Sequence, residues 1–296
     1  MRLFIGRIIK WFGKVELLNF IPDDTYLSIL YYFFMGKRLN LSNPMTLNEK
    51  IQWIKLFDRK NKYIELVDKV SAKIFVQKCI GSQYIIPTIG VWRNFQEIDF
   101  DSLPNKFVLK CTHDSGSCLV CTDKNTFDKK YAERFFKKRL TRQYFWAARE
   151  WAYKEIKPQI IAEEYIEDNS THDLRDYKFY CFGDVVDCVL VCLDRCIGKP
   201  KFYFFDKKWN LKRYNIRGKN APEDFQITKP ENIDKMFQIA RDLSVETGTY
   251  FVRVDLYNVN GNIYFSELTL YPDSGMDRHR LPEIDLYFGS LIGPLK

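Results

Sequence analysis

The sequence predicts an α+β fold in which helices come first and mainly antiparallel strands follow. Three observations predict it. Apolar residues recur at helical spacing as far as about residue 80. Short β-branched and aromatic runs bounded by turn residues take over from Tyr84 onward. Two pairs of those runs are joined by hairpin signals, Gly183 in one and Asn260-Gly261 in the other. With 296 residues, 46% hydrophobic and 16% aromatic, the chain can bury one large core or two smaller ones and lacks a disordered composition. It holds no run of about eighteen apolar residues, so no membrane-spanning helix is expected.

Residues 2–18, plotted at roughly 100° per residue, place Phe4, Ile8, Trp11, Phe12 and Val15 on one face and Arg7, Lys10 and Lys14 on the other. This basic amphipathic helix suits a membrane interface, and it equally suits a helix whose apolar face packs on the domain behind it. Arg7 and Lys10 interrupt the apolar stretch that a secretory signal needs. A second helix is expected over Tyr26 to Met35. Between residues 45 and 80, Leu47, Ile51, Ile54 and Leu56-Phe57 recur at helical spacing, with Thr46 as cap and Glu49 three residues on. A further helix runs from about Asp68 to Cys79 and stops at Gly81. Strands are expected at Tyr84–Pro87, Phe107–Cys111 and Cys118–Val120, a long helix over Asp128 to Tyr153, and strands again from Gln159 to Glu163. The runs Lys178–Phe182 and Asp184–Leu193 read as a hairpin, and Tyr203–Phe205 as a short strand. A helix from Pro230 to Gly248 precedes a final hairpin, Tyr250–Tyr257 with Asn262–Leu268.

Lys and Arg exceed Asp and Glu by 8, but residues 1–62 alone hold eleven basic groups against five acidic ones. The basic excess therefore belongs to one end and is not spread over a working face, which argues against a nucleic-acid partner. Eight cysteines in a chain of this length, with no cleavable leader, are expected to be reduced thiols of a cytoplasmic protein. Neither G-x-x-x-x-G-K nor G-x-G-x-x-G is present, nor a kinase signature or G-x-S-x-G.

Five constellations carry chemistry. In Arg253-Val254-Asp255 and Glu267-Leu268-Thr269, strand alternation sets Arg253 with Asp255 and Glu267 with Thr269 on shared faces. Two carboxylates on adjacent strands suit a hard cation such as Mg²⁺, and an ion pair from Arg253 stapling the sheet satisfies the same pattern. Phe107–Lys110 delivers a lysine into the small-residue loop Ser115-Gly116-Ser117, which can turn backbone N–H groups toward an anion or simply end the strand in a turn. Glu163-Glu164-Tyr165-Ile166 ends a strand with two acids beside apolar groups, a slot for a nucleotide base. Asp176-Tyr177-Lys178 sets an acid and a base on one strand face, and Asp68-Lys69 opens the helix that carries Lys73.

Taken in order, these pieces resemble the ATP-grasp superfamily. More narrowly, the chain is similar to the TupA-like ATP-grasp branch, associated with bacterial surface-polysaccharide and teichuronopeptide synthesis. The residues that carry this are Asn43–Lys50, Asp68-Lys69, Leu103–Lys110, Asp176–Phe179, and Glu267-Leu268-Thr269 with Pro272 and Gly275. The resemblance implies a helical amino-terminal region over residues 1–65 and an ATP-grasp domain over 66–296, whose subdomains, 66–165 and 166–296, clasp ATP. It implies that Lys69, Lys110 and the loop Ser115, Gly116 and Ser117 hold phosphates. Glu163, Glu164, Tyr165 and Ile166 would receive adenine and Asp176 the ribose. Asp255, Glu267 and Thr269 would hold Mg²⁺, and Arg253 and Lys178 would act in catalysis. Ser274 and Gly275 would offer backbone N–H groups to the substrate carboxylate. Most relatives carry Asn where Thr269 stands, and Asp114 places an acid in the phosphate loop.

The activity so implied is an ATP-dependent carboxylate–amine ligase that joins an amino acid or amine to a sugar uronate through an acyl phosphate. The protein would be cytoplasmic, with residues 1–18 resting on the inner face of the membrane. Two alternatives belong to other classes. One is a glycosyltransferase, for which Asp99-Phe100-Asp101 would hold a metal and a nucleotide sugar. The other is a non-catalytic ATP-grasp-like partner of the polysaccharide machinery.

Overall fold

The computed structural model describes residues 1–168, 174–194, 198 and 200–295. Five helices come first: α1 (Arg2–Lys14), α2 (Asp23–Met35), α3 (Leu47–Phe57), α4 (Lys62–Val67) and α5 (Lys69–Ile80). Helix α3 starts where the sequence indicates, because Thr46 Oγ1 accepts from the Glu49 N–H while the Glu49 carboxylate accepts from the Thr46 N–H. Asp68 caps α5 by accepting from the Ser71 N–H at 2.9 Å.

Helix α1 packs on α2 through its small residues. A Cβ on Gly13 would lie 2.0 Å from the Tyr26 hydroxyl oxygen, so only glycine permits this approach. The face that the helical wheel makes apolar points the other way. Phe4 is 67% exposed and Trp11 56%, and Ile8, Phe12 and Val15 are exposed with them.

Four antiparallel strands form the first sheet: β1 (Thr88–Trp92), β2 (Phe107–Cys111), β3 (Cys118–Cys121) and β4 (Ile160–Glu164), in the order β1-β4-β2-β3. Helix α6 (Lys129–Leu140) covers it and buries Ala132 and Phe136 against Phe107, Leu109 and Ile160. The second sheet has six antiparallel strands: β5 (Asp176–Phe182), β6 (Val185–Leu193), β7 (Lys201–Phe205), β8 (Leu211–Lys212), β9 (Val252–Val259) and β10 (Asn262–Thr269). Their order is β10-β9-β5-β6-β7-β8. A short helix α7 (Ile216–Lys219) precedes α8 (Ile233–Thr247), and α9 (Pro282–Leu291) closes the chain. The core of the larger sheet takes Met236, Ala240 and Leu243 from α8 and also Leu47, Ile51 and Ile54 from α3. Helix α3 thus shares the larger core, whereas α1 and α2 pack in a separate cluster around Tyr26, Leu30 and Tyr31.

Two elements depart from expectation. Tyr84–Pro87 is not a strand: Ser82–Tyr84 is a 3₁₀ turn, Ile85 makes a single bridge to Phe265, and the ladder begins at Thr88. Pro87 has no N–H to contribute to a ladder. The long helix expected to reach Tyr153 ends at Leu140 and gives way to 3₁₀ turns at Tyr144–Ala147 and Trp151–Tyr153. The buried Arg149, nine residues beyond the helix end, keeps the segment that follows from resuming a helix. It holds φ at 52°, donates to the carbonyls of Trp146 and Leu18 at 2.8 and 2.9 Å, and lies over the Tyr26 ring.

The final hairpin turns at Asn260-Gly261, whose φ values of 51° and 79° are those a two-residue hairpin turn demands. A β-bulge interrupts it: Phe265 pairs with Leu256 and Glu267 with Asp255, leaving Ser266 extra. Ile263 and Phe265 face the core before the bulge and Leu268 after it, so the inserted residue moves Glu267 and Thr269 to the opposite side.

Candidate active site

A cavity of about 530 Å³ lies between the two sheets. From the smaller sheet and its loop it receives Lys110, Glu163 and Ser115-Gly116-Ser117, and from the start of α5 it receives Lys69. From the larger sheet it receives Asp176, Lys178, Tyr257 and Glu267. Glu164, Tyr165 and Ile166, on the strand that leaves the smaller sheet, line it as well. Ile86, Val108, Leu174 and Tyr257 give part of the wall an apolar surface suited to a planar ring.

Strand alternation delivers Lys110. Phe107, Leu109 and Cys111 point into the core of the smaller sheet, so Val108 and Lys110 face the cavity. The Lys110 ammonium donates to Glu163 Oε2 at 2.5 Å, and Lys73 pairs with Glu163 Oε1. Burial opposes the charge on Lys110, but Glu163 and Tyr257 outweigh it and its pKa is raised. Burial likewise opposes the Glu163 carboxylate, and Lys110 and Lys73 together hold its pKa below the usual range. Glu163 therefore lines the cavity with its carboxylate already committed to two lysines. It is placed to position Lys110, and its side chain is not free to receive a base.

Lys69 Nζ donates to the backbone carbonyl of Asp114 at 2.5 Å, which ties one predicted phosphate lysine to the loop of the other. Asp114 does not line this cavity, and its Oδ1 is buried without a hydrogen-bond partner. Its Oδ2 accepts the Ser117 hydroxyl, and the residue is buried. At the loop tip, Gly116 has φ of 83° with open space where a Cβ would stand, as expected of a loop free to approach a ligand.

On the larger sheet the predicted faces hold. Asp255 is fully buried, accepts from Arg253 Nε and Nη2 at 2.7 Å each, and accepts from Lys178 Nζ at 2.5 Å. Burial alone would raise the Asp255 pKa, but Arg253 and Lys178 more than offset it and lower it. Lys178 also lies 3.3 Å from Asp176. Arg253 Nη2 reaches Glu267 Oε1 at 3.1 Å and Thr269 Oγ1 at 3.0 Å. One cationic nitrogen thus meets oxygens from Asp255, Glu267 and Thr269 together, and three hard oxygens about one positive charge are the donor chemistry that Mg²⁺ takes. The residues fit the metal in kind, with the guanidinium holding the place between them. Glu267 lines the cavity, while Arg253, Asp255 and Thr269 stand behind it. Among the described residues, no group of three His, Cys, Asp or Glu forms a metal cluster.

Ser274 departs from its expected role, and neither Ser274 nor Gly275 lines the inter-sheet cavity. The Ser274 N–H is bonded to the Tyr271 carbonyl at 2.9 Å, and Gly275 lies against Ile51 and Gln52, to which its carbonyl is bonded at 2.7 Å. The tight turn from Pro272 to Gly275, with φ of 50° and 56° at Asp273 and Ser274, folds these backbone groups inward. The Ser274 hydroxyl instead lines a second cavity of about 430 Å³, together with Arg7, Lys10, Lys14, Arg142 and Glu150. Ser115 lines both cavities, so the glycine loop stands between them. Asp99-Phe100-Asp101 lines neither: the Asp101 N–H bonds Asp99 Oδ1 at 3.0 Å in a surface turn over the buried Phe100.

Some functional side chains were within reach of sequence reasoning and others were not. Lys73 lies one helical turn after Lys69, and Tyr257 continues the alternation of Arg253 and Asp255, so both were signalled by period alone. Glu150 and Lys55 carry no such signal. They influence each other's charge only because α3 packs beside the 3₁₀ turns, where Lys55 donates to the carbonyls of Ala148 and Ser274 at 2.9 and 3.0 Å.

The sequence matches the TupA-like ATPgrasp family over residues 49–293. No curated protein matches. Among solved structures, the chain is similar to D-alanine–D-alanine ligase from Bacillus anthracis complexed with ATP, at 12% identity and a TM-score of 0.44. That match covers 82% of this chain and 65% of the ligase, so the chain spans less than two thirds of that protein's length. It is also similar to the D-cycloserine synthetase DcsG, at 14% identity, 77% and 69% coverage and a TM-score of 0.42. A third likeness is to the ATP-grasp ligase PsnB complexed with its minimal precursor, Mg and ADP, at 11% identity, 94% and 72% coverage and a TM-score of 0.41. The family match takes in most of the chain, from the first turn of α3 to beyond α9, and with it the chain belongs to the TupA-like ATP-grasp family.

Proposed function

We propose that the protein is an ATP-dependent carboxylate–amine ligase that joins an amino acid or amine to the uronic acid of a bacterial surface polysaccharide. The observation that carries this reading is the inter-sheet cavity, where Lys69 and Lys110 face Lys178 and Glu267 across a space with one apolar wall. A triphosphate needs several cations, and an adenine ring needs a flat apolar slot. Lys110 is held in place by Glu163, and the glycine loop, tethered through Lys69, can close over the reacting group and keep water out. Arg253 reaches the cavity edge through Glu267, where it can stabilise charge on the transferring phosphoryl group. Glu267, with Asp255 and Thr269 once Arg253 gives up its place among them, would hold Mg²⁺, which would supply positive charge to the phosphate oxygens.

In the reaction, a carboxylate oxygen attacks the γ-phosphorus and ADP leaves with the electrons of the broken P–O bond. The amine nitrogen then attacks the acyl carbon, phosphate departs, and the nitrogen loses its proton to give the amide. The same reading places the protein in the cytoplasm and on the inner face of the membrane, through residues 1–18. What supports this is the exposed apolar row of α1 on a segment rich in basic residues. No described helix is long and apolar enough to cross a membrane.

The deciding experiment incubates the protein with ATP, Mg²⁺, glucuronate and a panel of amines, following ADP and product mass. ADP should appear only with both substrates present, and the product should weigh their sum less one water. Glu267→Ala should abolish turnover in a folded protein; full turnover by that variant would remove the metal role. ADP-independent transfer from a nucleotide sugar would replace the ligase with a glycosyltransferase.

A further inference from the structure

The second cavity is built from parts remote in the chain. Helix α1 supplies Arg7, Lys10 and Lys14, the segment after α6 supplies Arg142, and Glu150 and Ser274 form its floor. The floor is fixed by a buried network: the Ser274 hydroxyl donates to Glu150 at 2.7 Å, Lys10 Nζ donates to Ser274 Oγ at 3.3 Å, and Lys55 holds the Ser274 carbonyl from below. Of the two acids in the wall, Glu150 accepts from Ser274, and Asp114 accepts from Ser117 through Oδ2 while its Oδ1 is buried without a hydrogen-bond partner. Among the described residues, Arg7, Lys14 and Arg142 form no ion pair with a carboxylate. Partial burial lowers the Lys14 pKa, and the neighbouring Arg142, Arg139 and Lys10 lower it further against the opposing pull of Asp114, so the like charges about this space prevail.

We propose that this cavity holds the phosphate or diphosphate of a phosphorylated acceptor, whose other end reaches past Ser115 to the inter-sheet cavity. The inference rests on the ligase reading and adds to it the class of acceptor. Four cations against the two wall acids, Asp114 and Glu150, leave two positive charges over, and a phosphate or diphosphate brings two or more negative charges and many acceptor oxygens. Arginine and lysine together suit such a group. The shared wall at Ser115 sets the acceptor beside the closing loop, so one substrate anchors by its phosphates while its carboxyl or amine meets the nucleotide. Helix α1 is then a wall of the acceptor site, with Lys10 half-buried at the floor and the exposed Arg7 and Lys14 at its rim.

The test is calorimetric titration of inorganic pyrophosphate into the full chain saturated with AMPPNP and Mg²⁺, so that the first cavity is filled. Pyrophosphate should bind, and the double variant Lys14→Ala/Arg142→Ala should bind it at least about tenfold more weakly with AMPPNP affinity unchanged. Neither side chain is buried, and Lys10→Ala gives an independent second variant. No pyrophosphate binding, equal binding by the variants, or glucuronate binding as tightly as pyrophosphate would overturn the inference. Failure of AMPPNP to bind would overturn the ligase reading instead, and the same variants then test pyrophosphate alone. Farnesyl diphosphate binding more tightly than UDP-glucuronate would show a lipid-linked acceptor and the reverse a nucleotide-linked one; both support a phosphate site if the double variant weakens them.

Discussion

Asp255→Asn should destabilise the folded protein by about 3 kcal/mol, at the lower end of the range for breaking a buried ion pair by removing one partner. The magnitude follows from what each neighbour would keep. The carboxylate is fully buried and accepts three charged contacts, two from Arg253 and one from Lys178. Without it, Lys178 keeps Asp176 at 3.3 Å and Arg253 keeps Glu267 and Thr269 at 3.1 and 3.0 Å, so neither cation is stranded completely. With a urea slope of about 3 kcal/mol per molar, the midpoint should fall by about 1 M. The pH dependence has a fixed sign. Because the folded carboxyl titrates below its ordinary value of about 3.9, its contribution is complete above that value and is lost as pH falls through the folded one. Urea midpoints of wild type and variant should therefore stay equally far apart from about pH 5 to 8 and converge only below about pH 4. A combination with Lys178→Met should cost less than the sum of the two changes by about 0.5–3 kcal/mol. A penalty under about 1 kcal/mol at neutral pH, or a gap that closes between pH 5 and 7, would refute the argument from buried charge.

Lys110→Ala should abolish ATP-dependent turnover and weaken ATP binding with little loss of stability, because Glu163 keeps Lys73; calorimetry with AMPPNP and a thermal melt check both. Thr46→Ala removes half of the α3 capping box and should cost about 1 kcal/mol in urea unfolding, leaving nucleotide affinity unaltered. Phe4→Asp or Trp11→Asp should reduce sedimentation with phosphatidylglycerol vesicles without changing AMPPNP binding, and unchanged sedimentation would count against the membrane reading.

The parts of the molecule legible in the sequence are those written by local period. The capping box at Thr46, the hairpin turn at Asn260-Gly261 and the alternation of Arg253 with Asp255 stand in the structure as the spacing implied. The parts that were not legible depend on packing. Arg149 is buried in a left-handed conformation where Leu18 and Tyr26, more than a hundred residues away, receive it. Period could show that α1 had a basic and an apolar face, but which of the two would meet protein depended on glycine contacts with α2. The role of Glu163 was hidden for the same reason. Its nearness to Lys73 comes from the docking of α5 beside the smaller sheet.

The extra residue in the final hairpin has a consequence for how this chain can vary. Between Phe265 and Glu267, Ser266 changes which side of the ribbon the oxygen donors occupy. Loss of that one serine would restore strict alternation, swing Glu267 and Thr269 among the aliphatic groups beneath the sheet, and push Leu268 outward. Substitution at Ser266 leaves the count intact, whereas insertion or deletion does not. The length of this arm, more than the identity of its residue, is therefore what the donor arrangement depends on.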